Sequence, residues 1–431
     1  MNFKFTLLHQ VTASFLMHAC NIVFILLSTA ILARYQNPDV FGSYIMILAA
    51  VTVTSILVSF GLPTFLVREV SSYLIRDDIA TAKAVFRFSF FLTCGLLVMV
   101  LTIFLIVDVF LDSSLVSQAG IGVAIFLTGK VFSELFSGAL VGFNEIIKGQ
   151  FIQFVIPSGS FLFVLIIICI VLQEHPTIRE VFYIQAGSTT LAAALGAGWL
   201  VSVFRRKKTD PNTEIMWVKW LCESFPLTLI NGLAAFNQNA LYLVLGVLCT
   251  PESAGLYRIA DRVGAFAQFL RGAVDKVIAP RVARYWAIDD KESISRIMGS
   301  ICVLNVLFNG LYFLGSVLFG GKIIALMFGY GYVDAWIPLT LLTGGFFLAS
   351  LFGFNGILLT MTAHAKVVSS VLIVSVIAQL GLTFPLTVYF DVTGAAVAAS
   401  SVGVCTAFAL WKFAKKTTGI NCAVNSLFSK V

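Results

Sequence analysis

The stretch "PDVFGSY" at residues 38–44 joins two long apolar runs, and "PESAGLY" at residues 251–257 joins two more. Both copies read Pro, acid, any residue, apolar, Gly, any residue, Tyr, and about half the chain separates them. A second matched pair follows each copy. "GLPTFLVR" (61–68) and "VIAPRVAR" (277–284) both place an arginine four or five residues after a proline, near the end of the next run. Two motifs repeated in the same order at a similar offset read as a duplicated unit.

The composition says what that unit is built from. Of 431 residues 59% are hydrophobic and 11% are charged, against roughly 25% charged in soluble domains. Apolar runs of about 20 residues, enough to cross a hydrocarbon core about 30 Å thick, recur along the chain. In lipid only helices and closed barrels satisfy every backbone group. A run such as "FLFVLIIICIVL" (161–172) lacks the alternation of a barrel strand. The expected fold is therefore an all-α integral membrane protein. The opening "MNFKFTLLHQ" carries little charge and no small-residue cleavage site follows it, so the first run is expected to be a retained span. The eight cysteines are scattered without a CxxC spacing, which suggests neither a metal site nor a disulfide framework.

About twelve spans can be placed. The longest charged loop, "RRKKTDPNTEIMWVK" (205–219), falls between the sixth and the seventh. The expected organisation is a six-helix lobe over 1–204, a linker over 205–219, a second six-helix lobe over 220–415 and a tail over 416–431. Six is even, so both lobes insert in the same orientation. Parallel repeats of this kind are related by an axis along the membrane normal and leave a central cavity between them. Most lysines and arginines then fall on one side, while the other carries only Arg34, Arg179 and Lys322. By the positive-inside rule both termini are expected in the cytoplasm. The net charge of +7 is thus topological, and no nucleic-acid partner is implied.

The stretches "ILARYQNPDVFGSY" (31–44), "FGLPTFLVRE" (60–69), "TPESAGLYRIADRV" (250–263), "FGYGYVDAWIPL" (328–339) and "VTGAAVA" (392–398) resemble the polysaccharide flippases of the Wzx type. These belong to the multidrug/oligosaccharidyl-lipid/polysaccharide exporter superfamily. The resemblance runs over nearly the whole chain. It implies a bacterial inner-membrane protein, not an enzyme, that moves an undecaprenyl-pyrophosphate-linked oligosaccharide, such as an O-antigen repeat unit, from the cytoplasmic to the periplasmic leaflet. It further implies no cofactor, proton or sodium coupling as the energy source, and membrane lipids, a polysaccharide polymerase and a chain-length regulator as partners.

Such a cargo needs a polar, cationic cavity, and ionisable residues within spans are functional candidates by default. The candidates for binding substrate are Arg262, Arg258, Arg34, Arg68 and Lys130; those for gating or coupling are Asp261, Glu134, Pro226 and Asn237. Each has a plainer reading. Lys130 and Glu134 are spaced i, i+4 and can neutralise each other. Arg34 and Arg68 lie near helix ends, where they can anchor a span or serve topology. Arg271 and Asp275 have pair spacing, and Arg271 lies on the opposite side of its helix from Arg262. Arg258 and Arg262 share a face and cannot pair with each other, and Asp261 can neutralise only one of them. Pro226 and Asn237 sit in the most polar span that lacks a central charge and suit a bending gate or ordinary interhelical hydrogen bonds. The related lipid II flippases are similar around Ala260, Asp261 and Arg262. Their first helix carries a cation a turn and a half before the position of Arg34, where this chain has Ser28.

Two other classes compete. A drug/cation antiporter of the same superfamily is expected to carry a membrane carboxylate in its first half, and the first span has no acid. A membrane polysaccharide polymerase or ligase usually needs a sizeable outer loop with a nucleophile and base, and the outer loops here are short. The expected topology is checked by reporter fusions: alkaline phosphatase joined after Lys208 should be inactive and joined after Arg179 active, and the reverse pattern contradicts it.

Overall fold

The computed structural model describes residues 2–111, 114–206, 216–362 and 364–420; the side chains at 2–11, 107–119 and 365, and at parts of 226–238 and 269–287, lie outside the description. All regular structure among the described residues is helical. The helices are α1 (Asn2–Tyr35), α2 (Pro38–Ser59), α3 (Leu62–Ile75), α4 (Ile79–Leu111), α5 (Ser114–Gly142), α6 (Ile146–Gln150), α7 (Ile156–Leu165), α8 (Ile178–Arg206), α9 (Trp217–Leu248), α10 (Pro251–Ala287), α11 (Lys291–Phe328), α12 (Trp336–Ser350), α13 (Asn355–Met361) and α14 (Ala365–Thr418). Wide π-helical turns at Phe151–Val155 and Ile166–Val171 flank α7. Pro157, in the first turn of α7, has no N–H to give the ladder, which accounts for the loosened turn before it.

Among the described residues nine segments are long and apolar enough to cross a membrane. The chain is a multi-pass, all-α membrane protein. Among the described residues the expected total of twelve is not reproduced one for one. The last two expected spans form one helical run, Lys366–Thr418, broken only where Asp391 takes φ 52°. The expected seventh and eighth are missing from the nine. Side chains over parts of 226–238 in α9 and 269–287 in α10 lie outside the described residues, so these two expected spans fall partly outside the description.

The chain forms two compact units, Met1–Gln36 with Ile47–Asn239, and Asn37–Met46 with Ala240–Val431. The start of α2 and the end of α9 therefore belong to the second unit. Of the expected linker, residues 207–215 lie outside the described residues, as does the tail beyond 420.

In the first unit, Phe60 and Gly61 take positive φ and Pro63 opens α3, so the chain turns between α2 and α3. Helix α3 then buries Leu62, Phe65, Leu66 and Val70, the spacing of one helical face. Trp220 is fully buried, with its ring 5.5 Å from that of Phe88, and so ties the start of α9 to this unit. Helices α5 and α8 approach at a seam that has no room for a side chain: a Cβ on Gly129 would fall 2.6 Å from Thr189 Oγ1 and 2.8 Å from the Thr190 nitrogen. Small residues permit this kind of close packing in lipid, where hydrophobic burial does not separate helix from tail.

Several buried polar groups of the second unit are satisfied internally, as a membrane interior favours. Trp336 Nε1 donates to the Ser316 carbonyl at 2.9 Å, the Ser316 and Thr343 hydroxyls lie 2.8 Å apart, and Asn309 donates to the Asn305 carbonyl at 2.9 Å. Outside the spans, Asp290 caps α11 by accepting from the Ser293 nitrogen at 2.9 Å. Hydrogen bonds from the Ser293 side chain and backbone hold its carboxyl below the usual carboxylate range. Large apolar side chains such as Val98, Met99, Leu307, Leu311 and Val374 point outward, as a surface in contact with lipid tails requires.

The α5/α8 seam gives a test. Gly129→Val should destabilise the protein by about 1–3 kcal/mol, the usual cost of overpacking. Gly187→Ala, on the same α8 but with nothing within 4 Å, should leave thermal unfolding in detergent unchanged. Equal melting of the two variants contradicts the seam.

Candidate functional site

The charged cluster of the second unit is built by α10, by the end of α9 and by the start of α2. Thr250 caps α10, accepting from the Ser253 nitrogen at 3.3 Å, and Pro251 supplies a first turn that needs no donor. Two turns on come Arg258, Asp261 and Arg262. At 1.5 Å rise per residue they lie roughly 10–17 Å along the helix from Pro251.

The two copies of the repeated motif meet here. A Cβ on Gly42 would overlap the Pro251 carbonyl, and one on Gly255 would lie 3.4 Å from Gly42 Cα and 3.0 Å from the Phe41 ring. Glycine in each copy thus lets backbone touch backbone. The tyrosine that closes each copy is buried, Tyr44 and Tyr257 both being 3% exposed. Phe41, fully buried, sets its ring 5.6 Å from Tyr332, edge to face.

Tyr242, from α9, completes the cluster. It is 3% exposed, and its ring lies 5.7 Å from Tyr257. Its hydroxyl donates to Asp261 Oδ2 at 2.7 Å and accepts from Arg258 Nη1 at 3.3 Å. The Arg258 guanidinium also lies over the Tyr242 ring, 5.2 Å from its centre, a cation–π contact. Asp261 makes no ion pair within 4.0 Å to either arginine. The Nε atoms of both Arg258 and Arg262 are buried without a hydrogen-bond partner. Two guanidiniums one turn apart, with the carboxylate between them engaged by Tyr242, have the chemistry to receive an anion with several oxygens, which arginine can grip in bidentate fashion.

The other sequence candidates belong to the first unit. Lys130 and Glu134 pair on α5 at 2.7 Å, each side chain about a quarter exposed. Arg68, on α3, pairs with Glu69 at 2.8 Å and lies over the Phe65 ring. Arg34 is exposed in the last turn of α1. Pro226 and Asn237 are within α9, but their side chains lie outside the described residues, as do those of Asp275 and Lys276. The expectation that Asp261 neutralises one arginine gives way to a hydrogen bond with Tyr242. Sequence reasoning missed three residues. Tyr44 and Tyr257 carried a signal, since each ends a copy of the repeat. Tyr242 carried none, being one tyrosine in an apolar run. Among the described residues no group of three or more His, Cys, Asp or Glu could hold a metal ion.

Comparison with known proteins fits this picture. A family model described as "Polysaccharide biosynthesis protein" matches residues 7–286. Over 213 residues, 49% of this chain, the sequence is 25% identical to a protein of Escherichia coli (strain K12) that carries the name of an O-antigen transporter. Over 155 residues, 36% of this chain, it is 26% identical to a protein of Haloferax volcanii named for low-salt glycan biosynthesis as the flippase Agl15. The chain spans 49% and 33% of the length of these two relatives. Among solved structures it resembles an inward-facing multidrug resistance MATE family transporter of the MOP superfamily, with a TM-score of 0.76 at 14% identity over 93% of this chain and 94% of that one. It also resembles the lipid II flippase MurJ in an inward closed conformation, with a TM-score of 0.69 at 12% identity over 98% and 91%. At such identities the likeness is one of fold.

The contact between the repeats yields a prediction. Gly42→Ala places a methyl group against the Pro251 backbone, which cannot move aside as a side chain can. It should cost about 1–3 kcal/mol, read as a lower melting temperature in detergent. Gly255→Ala, which meets a movable Phe41 ring, should cost less, and the opposite ranking contradicts the contact.

Proposed function

The chain belongs to the polysaccharide biosynthesis protein family, and from that premise we propose that it is a flippase for a lipid-linked oligosaccharide. Its cargo would be an undecaprenyl-pyrophosphate-linked repeat unit, such as that of an O-antigen, carried from the cytoplasmic to the periplasmic leaflet of a bacterial inner membrane. Twelve spans in two lobes, with both termini cytoplasmic, would alternate access to a central cavity. A polysaccharide polymerase and a chain-length regulator would act on the delivered unit.

One observation carries the reading: Arg258 and Arg262 stand one turn apart on α10, and the carboxylate between them, Asp261, bonds to Tyr242 rather than to either of them. A cation at the centre of a membrane helix costs about 2.5–3.5 kcal/mol on the insertion scale. The Lys130–Glu134 pair offsets that cost within the helix; the α10 cluster leaves a positive surplus. A pyrophosphate that arrives with its lipid tail in the bilayer supplies the missing negative charge. Coupling to a proton or sodium gradient would run through Asp261 or Glu134, the acids that the sequence places beside these cations. A drug/cation antiporter is less well served by the same site, because a cationic drug would be repelled by it.

The test is made in a strain whose surface polysaccharide depends on this gene. Arg262→Ala should lower polysaccharide output by about tenfold or more, since a charge-assisted contact is worth about 1.5–3 kcal/mol. Membrane abundance should stay normal, and lipid-linked units should accumulate in the inner leaflet. Arg262→Lys should rescue in part, because the charge remains while the bidentate fork does not. Wild-type output from Arg262→Ala, or a loss of output that merely follows a loss of protein, overturns the assignment.

A further inference from the structure

We propose that Tyr242 is a positioning residue that holds the Asp261 carboxylate off the two arginines, so that their guanidiniums stay open to a pyrophosphate. The inference rests on the pyrophosphate reading given above and names the residue that makes the site available.

On an isolated helix the aspartate would be expected to pair. Asp261 follows Arg258 by three residues, a spacing at which opposite charges attract, and it adjoins Arg262. Neither pair forms. Tyr242 reaches in from α9 instead. A phenol has one proton and two lone pairs. The proton goes to Asp261 Oδ2 at 2.7 Å, the length of a charge-assisted bond to a carboxylate. A lone pair takes an N–H of Arg258 at the longer distance of 3.3 Å. The hydroxyl thus occupies a carboxylate oxygen that would otherwise seek a guanidinium, and offers Arg258 a neutral, weaker partner in exchange. The ring beneath Arg258 steadies the cation without cancelling its charge.

The consequence is a difference in what the ligand must displace. With Tyr242 in place, a pyrophosphate competes with one long bond to a phenol. Without the hydroxyl, it competes with an ion pair between Asp261 and Arg258 or Arg262 in surroundings that strengthen such pairs. Tyr242 itself has little freedom to leave, being 3% exposed and packed on Tyr257.

The experiment measures binding of inorganic pyrophosphate and of farnesyl pyrophosphate to the purified full-length protein in detergent by titration calorimetry. The two probes share the head group and separate a free ion from a lipid-borne one; the inference applies to whichever binds. Tyr242→Phe keeps the ring and removes the hydroxyl. It should weaken binding by up to about fivefold, the order expected from one new ion pair. Asp261→Asn removes the competing charge and should bind more tightly than wild type. The double variant Tyr242→Phe with Asp261→Asn should regain at least wild-type affinity, because no carboxylate remains to be restrained. A mere packing role for Tyr242 would not be rescued by Asp261→Asn. Wild-type affinity in Tyr242→Phe, a double variant as weak as Tyr242→Phe, or weaker binding by Asp261→Asn alone overturns the inference while leaving the pyrophosphate reading intact. Absence of saturable binding of either probe by the wild type overturns that reading and the inference with it.

Discussion

Two arginines one turn apart on α10, with no ion-paired carboxylate beside them, are the constraint on which the proposed site depends. The insertion cost of about 2.5–3.5 kcal/mol per arginine exceeds what a surface ion pair returns, about 0.2–1 kcal/mol. Tyr242 bonds Arg258 and packs on the buried Tyr257, and Gly42 allows the start of α2 to come against the start of α10. The first unit meets the same problem differently. Lys130 is answered one turn away by Glu134 at 2.7 Å, which closes the charge balance within one helix.

Much of this was legible in the sequence because lipid simplifies the code. Long uniform apolar runs leave little choice but helix, and the duplicated "PDVFGSY" and "PESAGLY" stretches marked two elements that prove to touch through their own glycines. The grouping of Arg258, Asp261 and Arg262 also follows from helical spacing alone. What spacing could not supply was the partner of Asp261. Along the helix the arginines are its natural mates, and a tyrosine from α9 displaces them through a tertiary contact that no local pattern encodes. The turn at Phe60 and Gly61 was likewise hidden, because the run through it reads as one continuous span. The division inside α9 depends on where Trp220 and Tyr242 pack, which is again a matter of tertiary neighbours.

The fold resembles those of a multidrug transporter and of a lipid II flippase, so fold alone does not name a cargo and the chemistry of particular residues must decide. The candidate here is a pair of arginines whose Nε groups have no hydrogen-bond partner among the described residues. Buried donors without partners are rare in folded proteins and call for a specific account. A ligand rich in oxygen acceptors gives one.

The central claim is most directly tested by an electron cryo-microscopy structure of the protein with a polyprenyl pyrophosphate bound. The account predicts phosphate oxygens within hydrogen-bonding distance of both the Arg258 and Arg262 guanidiniums, with Asp261 still bound to the Tyr242 hydroxyl. A head group seated elsewhere, with Arg258 left on Tyr242 and Arg262 unengaged, would contradict it.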